Sequence, residues 1–397
     1  MSYANDRYRP GLEGVVAAQT AISSVDGEKG KLVIRGFAVE DLAPHVTFED
    51  MVFLLWHDVL PDAEALNRFN GELAAHRELE RHTLELLKAA AARGVHPIDA
   101  LRMACGSLTG DVAGVPGAGR GAAAARQEAM RLVAAFPVIV AVYHRLSQGL
   151  EPIVPRKDLL HTANFLYMLH GREAPSAFIR TLDTYWNTVS EHGLNASTFT
   201  ARVIVSTGSD VVSAVTGAVG ALKGALHGGA PGPVLDLLFE IGNAEQAEAV
   251  LREKLARGER LMGFGHRVYR TTDPRANVLG AAAEDLFERA GNRQVYELAQ
   301  AVEACALRLL REYKPGRSLQ TNIDFYTALL LHGIGFPTPL FTPVFAAGRV
   351  AGWTAHCLEQ IASNLLFRPE STYIGARNGR RIAATERRQD SKEVSGD

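Results

Sequence analysis

Cysteine is scarce in this sequence, and the three that occur lie far apart. Cys105, Cys305 and Cys357 form no CxxC pair, which argues against a structural zinc site and predicts a reduced, cytoplasmic protein. The sequence also lacks an HExxH motif, a GxSxG nucleophile elbow and a P-loop, so no local signature of a metal hydrolase, a serine hydrolase or a P-loop NTPase is present. The first residues, MSYANDRYRPGLEG, are polar and contain no apolar stretch typical of a signal peptide.

An excess of charge of either sign is also missing. Lys and Arg total 42 and Asp and Glu total 44, so the net charge does not predict binding to nucleic acid. The 397 residues, 47% hydrophobic and 22% charged, are typical of a globular protein with room for two domains. An anionic ligand would therefore have to be bound by locally clustered cations.

Two apolar regions have the composition of a membrane span but not its continuity. The segment VVSAVTGAVGALKGAL is short and carries Lys223, and the region from Phe325 to Trp353 is interrupted by three prolines. A transmembrane helix needs about 20 consecutive apolar residues, and proline interrupts a helix. Both regions are therefore predicted to be buried helices, and no membrane partner is expected.

Helical spacing of apolar residues is common in this sequence, whereas strict alternation is rare. PRKDLLHTANFLYMLHG places its apolar side chains on or near one helical face, and LDTYWNTVSEH predicts a helix that ends near Gly193. The run KLVIRG near the beginning is typical of a strand before a glycine turn. GAGRGAAAARQEA predicts a flexible connection that leads into a helix, and the charged tail after Gly375 is predicted to be mobile or to lie on a neighbouring surface. The predicted fold class is mainly α, with a few short strands near the N-terminus.

Three histidines stand beside glycine or asparagine in turn-like settings: His192 in SEHGLN, His227 in ALHGG and His266 in GFGHR. The Gly- and Ala-rich helix before His227 allows close packing, which predicts that His227 is fixed at a helix end facing a cavity. The same letters also fit a helix C-cap with an incidental histidine. The local sequence leaves both interpretations open.

Asp324 is a carboxylate that enters an apolar run, TNIDFYTALLL. Burial of a carboxylate costs several kcal/mol unless it is paired or its pKa rises, so Asp324 is a candidate catalytic base. The alternative is an ordinary N-cap at the beginning of the helix. Both interpretations are compatible with each other.

Arginines are clustered after His266, at Arg267, Arg270 and Arg275. Guanidinium groups bind carboxylates and phosphates bidentately, which favours an anionic ligand, although a solvated charged face is the plainer interpretation of one or two of them. Arg349, within FAAGRVAGW, is predicted to be buried and to need an anionic partner. Arg368, before Pro369, is predicted to be exposed.

Seven segments of the sequence, in this order, resemble the citrate synthase family: GLEGVVAAQTAISSVDGEKGKLVIRGFAVEDLA, SEHGLNASTFTAR, ALKGALHGG, LMGFGHRVYRTTDPRA, TNIDFYTALLL, GRVAGWTAHCLEQ and RPESTYIG. They span nearly the whole chain. The resemblance implies an enzyme of the tricarboxylic acid cycle that condenses acetyl-CoA with oxaloacetate and hydrolyses citryl-CoA. It also implies a homodimer with no permanently bound cofactor and no metal, in which the coenzyme A thioester is a co-substrate.

The resemblance further implies a domain division and a set of residue roles. Residues 1–228 and 336–397 would form a large helical domain, and residues 229–335 a small mobile domain that closes over the substrates. The implied roles are catalysis by His227, His266 and Asp324; oxaloacetate binding by His192, His266, Arg275, Arg349 and Arg368 of the partner subunit; coenzyme A binding by Arg270, Arg317, Gly263 and Gly265; and orientation of His227 by Ser197.

The implied chemistry fits these residue types. Asp324 would take a proton from the acetyl methyl group while neutral His227 donates a hydrogen bond to the thioester oxygen. His266 would polarise the ketone of oxaloacetate. The sequence departs from the family at Ala225 and Thr321, where relatives have proline, and at Pro231, where they have asparagine. These changes leave the acyl-CoA open: propionyl-CoA, as in 2-methylcitrate synthase, is the main alternative, and a non-catalytic CoA-binding paralogue or a metal hydrolase ranks lower.

Overall fold

The computed structural model describes residues 8–109, 121–228, 231–291 and 293–375. Three strands lie near the beginning, β1 (Ser23–Asp26), β2 (Lys31–Ile34) and β3 (Phe37–Ala38), and helices make up most of the rest. The first eight helices are α1 (Val39–Leu42), α2 (Phe48–His57), α3 (Ala63–Ala75), α4 (Arg81–Ala92), α5 (Pro97–Gly106), α6 (Ala122–Ser147), α7 (His161–His170) and α8 (Ser176–Ser190). They are followed by α9 (Ala196–Ser206), α10 (Val211–Leu222), α11 (Pro231–Ile241), α12 (Ala247–Ala256), α13 (Pro274–Ala290), α14 (Arg293–Tyr313), α15 (Ile323–Ile334) and α16 (Phe341–Ala362).

The mainly α fold class predicted from the sequence is confirmed. The strands form one antiparallel sheet in the order β1-β2-β3, with Ser23 opposite Ile34 and Asp26 opposite Lys31. The predicted strand in KLVIRG is β2. Its alternate side chains Leu32 and Ile34 are fully buried, as expected for a sheet with one face against the core.

The described residues fall into two compact units. Residues 8–19 and 367–375 belong to one, which contains a short 3₁₀ turn at Pro10–Leu12, and Thr20–Leu366 form the other. The predicted division into a large domain and a mobile domain of residues 229–335 stays a prediction. Of the predicted flexible connection GAGRGAAAARQEA, residues 117–120 lie outside the described residues, and α6 begins within the segment at Ala122. The charged tail, residues 376–397, also lies outside the described residues.

The apolar regions form buried helices, as the sequence predicts. Within the described ranges one helix, α6, is long and apolar enough to cross a membrane, and 78% of its most apolar window is buried inside the protein. The helices α10 and α16 are also largely buried. The prolines predicted to interrupt the second region lie between α15 and α16 or in the first turn of α16, where a missing N–H costs no helical hydrogen bond.

Three helix boundaries differ from the expected ones. The helix α7 begins at His161, because Leu160 is extended and caps it, so the residues from Pro155 to Leu160 do not continue its apolar face. The helix α8 ends at Ser190 rather than near Gly193, because Glu191 is extended (φ −142°, ψ 141°). In both cases the helix is shorter than the spacing of apolar residues in the sequence predicts.

The third boundary concerns the helix before His227. The helix α10 ends at Leu222, and four residues of turn separate it from His227. The backbone at Gly228 returns so close to the helix that a Cβ there would lie 2.3 Å from the carbonyl oxygen of Leu222. His227 is therefore held by a glycine-dependent turn, and the expectation that it sits at the helix end is corrected.

Candidate active site

Two of the predicted histidines, His192 and His266, lie together in the structure. His192 follows α8, His266 lies in the loop between α12 and α13, and their ring centroids are 5.6 Å apart. Tyr269 completes the group, with its hydroxyl 3.0 Å from Nε2 of His192. Burial lowers the pKa of His192 well below its usual range, so this histidine is neutral at pH 7.

The protonation of His266 is determined by its backbone neighbours. Its Nδ1 accepts hydrogen bonds from the amides of Val268 (3.0 Å) and Tyr269 (3.2 Å). Burial, followed by the charge of Arg275, lowers the pKa of His266 to about 4. The neutral ring must therefore carry its single proton on Nε2. Nε2 lies 3.3 Å from Nη2 of Arg275, which can only donate, so the Nε2–H of this tautomer finds no acceptor in that contact and a ligand oxygen would supply one.

Arg275 lies in the first turn of α13 and is held by Asp273. Nε and Nη2 of Arg275 donate to the two carboxylate oxygens at 3.0 and 2.9 Å, and Asp273 Oδ1 also accepts from the Arg275 amide at 3.0 Å. Both side chains are at most 5% exposed. Of the predicted arginine cluster, Arg275 is thus buried, whereas Arg267 and Arg270 are exposed.

Arg349 is buried in α16, as predicted, but its direct partner is not a carboxylate. Nε of Arg349 donates to the carbonyl oxygen of Val189, and no acidic oxygen of the described residues lies within 4.0 Å of the guanidinium group. Burial lowers the pKa of Arg349 to about 10, and the charge of Glu191 opposes that shift. The group remains a cation at pH 7.

Glu191, which the sequence analysis did not single out, anchors this part of the site. It is fully buried, and its Oε1 accepts from the Gly193 amide (2.6 Å), Ser23 Oγ (2.8 Å) and His356 Nε2 (3.1 Å). Nδ1 of His356 in turn faces Nη1 of Arg202 at 3.1 Å, so His356 bridges a cation and an anion. The local pattern SEHG does not predict this hydrogen-bond network, because its members come from four separate segments of the chain.

His227 and Ser197 are in direct contact. The distance from His227 Nε2 to Ser197 Oγ is 2.8 Å, as expected if Ser197 orients the histidine. Burial lowers the pKa of His227 to about 4, and the charge of Arg349 adds to the shift. The imidazole is therefore neutral at pH 7.

Asp324 lies in the first turn of α15, but it is not the N-cap. Asn322 caps this helix by accepting a hydrogen bond from the Asp324 amide at 3.0 Å, so the ordinary N-cap interpretation of Asp324 is wrong. Burial raises the pKa of Asp324 to about 6, and the charge of Arg275 opposes the shift. Among the described residues, no cation lies within 4.0 Å of this carboxylate. Asp324 is thus a half-buried base without an ion-pair partner among the described residues.

The glycine pair before His266 is pinned rather than flexible. Gly263 and Gly265 have φ values of +88° and +83°, which disfavour other residues. The Gly265 amide donates to the Gln320 carbonyl (2.7 Å), and the Asn322 amide donates to the Gly263 carbonyl (2.9 Å). The loop of His266 is thereby fixed to the segment that leads into α15 and Asp324.

The remaining candidates are exposed. Arg270 approaches Glu28 at 4.0 Å with a side chain 65% exposed, and Arg317 is exposed before α15. Arg368 belongs to the other unit and donates to the Pro369 carbonyl. In the described parts of the chain, no cluster of three or more His, Cys, Asp or Glu side chains has the arrangement of a metal site.

Several neighbours of the candidate residues are not indicated by the local sequence: Tyr269, Asp273 and Glu191, and also Asn195 and Trp353, whose side chains contact Ser197 Oγ at 2.8 and 3.0 Å. One of them had a readable signal. Asp273 directly precedes Pro274, and Asp followed by Pro predicts a helix start, which would have placed Arg275 in its first turn beside the capping carboxylate.

Two buried arginines beside histidines with lowered pKa values and a carboxylate with a raised pKa suit a site for a small anionic substrate. The family model described as "Citrate synthase, C-terminal domain" matches residues 11–370. The chain belongs to the citrate synthase family. It is accordingly an enzyme of the citrate synthase type.

Relatives of known identity cover almost the whole chain. A citrate synthase from Acidithiobacillus ferridurans is 41% identical over 389 residues, which are 97% of this chain and 100% of that protein. A 2-methylcitrate synthase from Mycobacterium tuberculosis is 42% identical over 370 residues, 92% of this chain and 90% of that one. A solved ternary complex of the Thermoplasma acidophilum citrate synthase with carboxymethyl coenzyme A and oxaloacetate has a TM-score of 0.86 and 27% identity, and covers 95% of this chain and 98% of that one.

Proposed function

We propose that this enzyme condenses acetyl-CoA with oxaloacetate through Asp324, His227 and His266, and then hydrolyses citryl-CoA to citrate and coenzyme A. The observation that carries this assignment is Asp324. It is a carboxylate with a pKa raised to about 6 by burial and without an ion-pair partner among the described residues. A base of this kind is largely deprotonated at pH 7 and has a pKa close to that pH, which favours removal of a proton from a weak carbon acid.

The acyl-CoA side of the reaction requires stabilisation of an enolate. Asp324 removes a proton from the methyl carbon, and the negative charge develops on the thioester oxygen. A neutral His227 donates a hydrogen bond to that oxygen, and because its pKa is about 4 it does so as imidazole rather than imidazolium. Ser197, in contact with Nε2, fixes the ring.

The oxaloacetate side requires an acceptor for the enolate carbon. His266 donates its Nε2 proton to the ketone oxygen, and this polarises the carbonyl for attack. Arg275, Arg349 and His192 bind the two carboxylates, with Arg368 of the partner subunit as a further ligand. Alignment of the two reactants contributes up to roughly 7–11 kcal/mol in well-oriented cases.

Coenzyme A is proposed to bind at the exposed side of the same loop. Arg270 and Arg317 are exposed cations suited to phosphate groups, and the pinned segment of Gly263 and Gly265 would lie against the adenine. A homodimer, closure of residues 229–335 over the substrates and a cytoplasmic location belong to the same proposal. The last of these is supported by three free cysteines.

Thiol release with oxaloacetate, compared between acetyl-CoA and propionyl-CoA, tests this function. We expect release with acetyl-CoA at the higher kcat/KM. Propionyl-CoA is the second candidate, because a relative of 42% identity is a 2-methylcitrate synthase and one methylene discriminates by only about 1–3 kcal/mol. Preference for propionyl-CoA would reassign the substrate, and no release with either would favour a non-catalytic CoA-binding paralogue.

A further inference from the structure

The hydroxyl group of Ser197 has three polar neighbours in a fully buried position. Trp353 Nε1 lies at 3.0 Å, Asn195 Oδ1 at 2.8 Å and His227 Nε2 at 2.8 Å. A serine hydroxyl can donate one hydrogen bond and accept two. The indole N–H of Trp353 can only donate, so it occupies one acceptor position. One donated and one accepted bond remain for Asn195 and His227.

The orientation of the Asn195 amide decides whether the Ser197 hydroxyl donates to Asn195 or to His227. Asn195 is the N-cap of α9, and its Oδ1 also accepts the Thr198 amide at 3.0 Å. A flipped side chain would turn its NH₂ group towards that N–H, so the oxygen must face both Thr198 and Ser197. Two acceptors cannot share a contact of 2.8 Å without a proton, and the Ser197 hydroxyl therefore donates to Asn195.

The contact with His227 is then fixed as well. Nε2 of His227 has to donate to Ser197 Oγ. The ring is neutral at pH 7, so Nδ1 carries a lone pair and no proton. In this arrangement the second nitrogen of His227 cannot donate a hydrogen bond to a thioester oxygen.

We propose that Asn195 is a positioning residue that sets the tautomer of His227 through Ser197, and that acyl-CoA binding reverses this arrangement. In the reversed state the Ser197 hydroxyl turns from Asn195 Oδ1 to His227 Nε2, and Oγ moves away from Oδ1 beyond the present 2.8 Å, because no proton is left between these two acceptors. The proton on Nε2 passes to solvent water and a proton from water binds Nδ1, so the ring stays neutral and the proton count is unchanged. Nδ1 then donates to the thioester oxygen. The catalytic part of this inference rests on the proposed function, whereas the arrangement in the free enzyme does not.

Two substitutions at position 195 distinguish the effect of Asn195 on the His227 tautomer from its effect as the N-cap of α9. Asp and Ser at position 195 are both good N-caps. Asn195→Asp keeps an acceptor, now charged, for the Ser197 proton, whereas the shorter side chain of Asn195→Ser withdraws it. We expect the Nε2–H tautomer in the free wild type and in Asn195→Asp, and a shift towards Nδ1–H in Asn195→Ser. The kcat of Asn195→Asp should lie about fivefold to tenfold below that of Asn195→Ser.

The measurement is ¹⁵N NMR of histidine-labelled protein at pH 8, with the His227 signals assigned by their loss in His227→Gln. Addition of oxaloacetate and carboxymethyl-coenzyme A should move the wild-type pattern to Nδ1–H. Combining each variant with Ser197→Ala should remove the difference between Asp and Ser at position 195, since the link is then gone.

A protonated Nδ1 in the free wild type would overturn the proposal, as would the same tautomer in all three proteins. Absence of thiol release from the wild type with both acyl-CoAs would instead refute the proposed function. The chemical shifts of the free enzyme would still decide the proton arrangement, so the two failures are distinguishable.

Discussion

The residues proposed to bind oxaloacetate differ from those proposed to act on the acyl-CoA in how they are held. Arg275 has a bidentate carboxylate partner in Asp273, and Arg349 is near the buried charge of Glu191. Asp324, in contrast, has no ion-pair partner among the described residues. The first group therefore carries its own counter-charges and is preorganised, whereas Asp324 is kept reactive by the lack of one.

Burial sets the directions of the pKa shifts of Arg349 and Asp324, since it disfavours the charged form of each group. Burial dominates both for Arg349 and for Asp324, but a guanidinium whose pKa is about 10 remains charged at pH 7. A carboxylate whose pKa is about 6 is close to the point at which it takes up a proton. The same burial thus leaves the binding side insensitive to pH and makes the base sensitive to it.

Removal of the base should have the largest effect. Asp324→Asn keeps the shape of the side chain and removes its basicity, so kcat should fall by about 10²–10⁴-fold. Oxaloacetate affinity, measured by calorimetry, should change little, because the proposed ligands of oxaloacetate are intact. Asp41→Asn, at an exposed position, is the matched control and should keep wild-type kcat. A large loss of oxaloacetate affinity in Asp324→Asn would mean that its role is misassigned.

A change on the oxaloacetate side should instead appear in KM. Arg275→Lys keeps the charge but cannot form the bidentate pair with Asp273. A charged hydrogen bond contributes about 1.5–3 kcal/mol, so KM for oxaloacetate should rise by roughly tenfold to a hundredfold. Arg289→Lys, an exposed arginine of the same helix paired with Asp285, serves as the control. An equal change in both variants would contradict the proposed role of Arg275.

The sequence predicted burial and proximity of individual candidate residues better than the side chains that hold them in place. Arg349 is buried as its apolar neighbours indicate, and His192 meets His266. The N-cap role of Asp324 was wrong because Asn322 competes for the same helix end, and both residue types are good caps. The support by Glu191 could not be predicted, since its partners Ser23 and His356 are brought together only by the tertiary fold.

The turn of His227 shows the same limit at the level of backbone. The Gly- and Ala-rich sequence is compatible with a helix up to His227, and only the close return of Gly228 to Leu222 shows why α10 ends earlier. The spacing of apolar residues predicts which face of a helix is buried. The end of this helix depends instead on a steric contact between residues six positions apart.

The pH dependence of kcat/KM should report the ionisation of Asp324, and its effect on the rate should be smaller than that of removing the base. Asp324 is the active base when deprotonated, so kcat/KM for acetyl-CoA should be constant above its pKa of about 6 and fall tenfold per pH unit below it. His227 and His266 have pKa values of about 4 and stay neutral over the same interval. Initial rates from pH 5 to 8 provide the measurement. A limb that persists in Asp324→Asn would assign the ionisation to another group.

The smallest expected effect concerns the packing that supports Glu191. A Cβ at Gly352 would lie 2.1 Å from the Ser190 carbonyl oxygen and 2.7 Å from Glu191 Oε2, so Gly352→Ala must displace the segment that leads to His192. Overpacking of this kind costs about 1–3 kcal/mol. Gly71→Ala is the matched control, because the helix α3 offers open space there and alanine should stabilise it by about 0.5–1 kcal/mol. Urea unfolding measures the change in the free energy of unfolding for both variants, which should be a loss for Gly352→Ala and a gain for Gly71→Ala. If Gly352→Ala is as stable as the wild type, the helix and the Glu191 segment are not in the tight contact described, and Glu191 loses its place as the anchor of the oxaloacetate side.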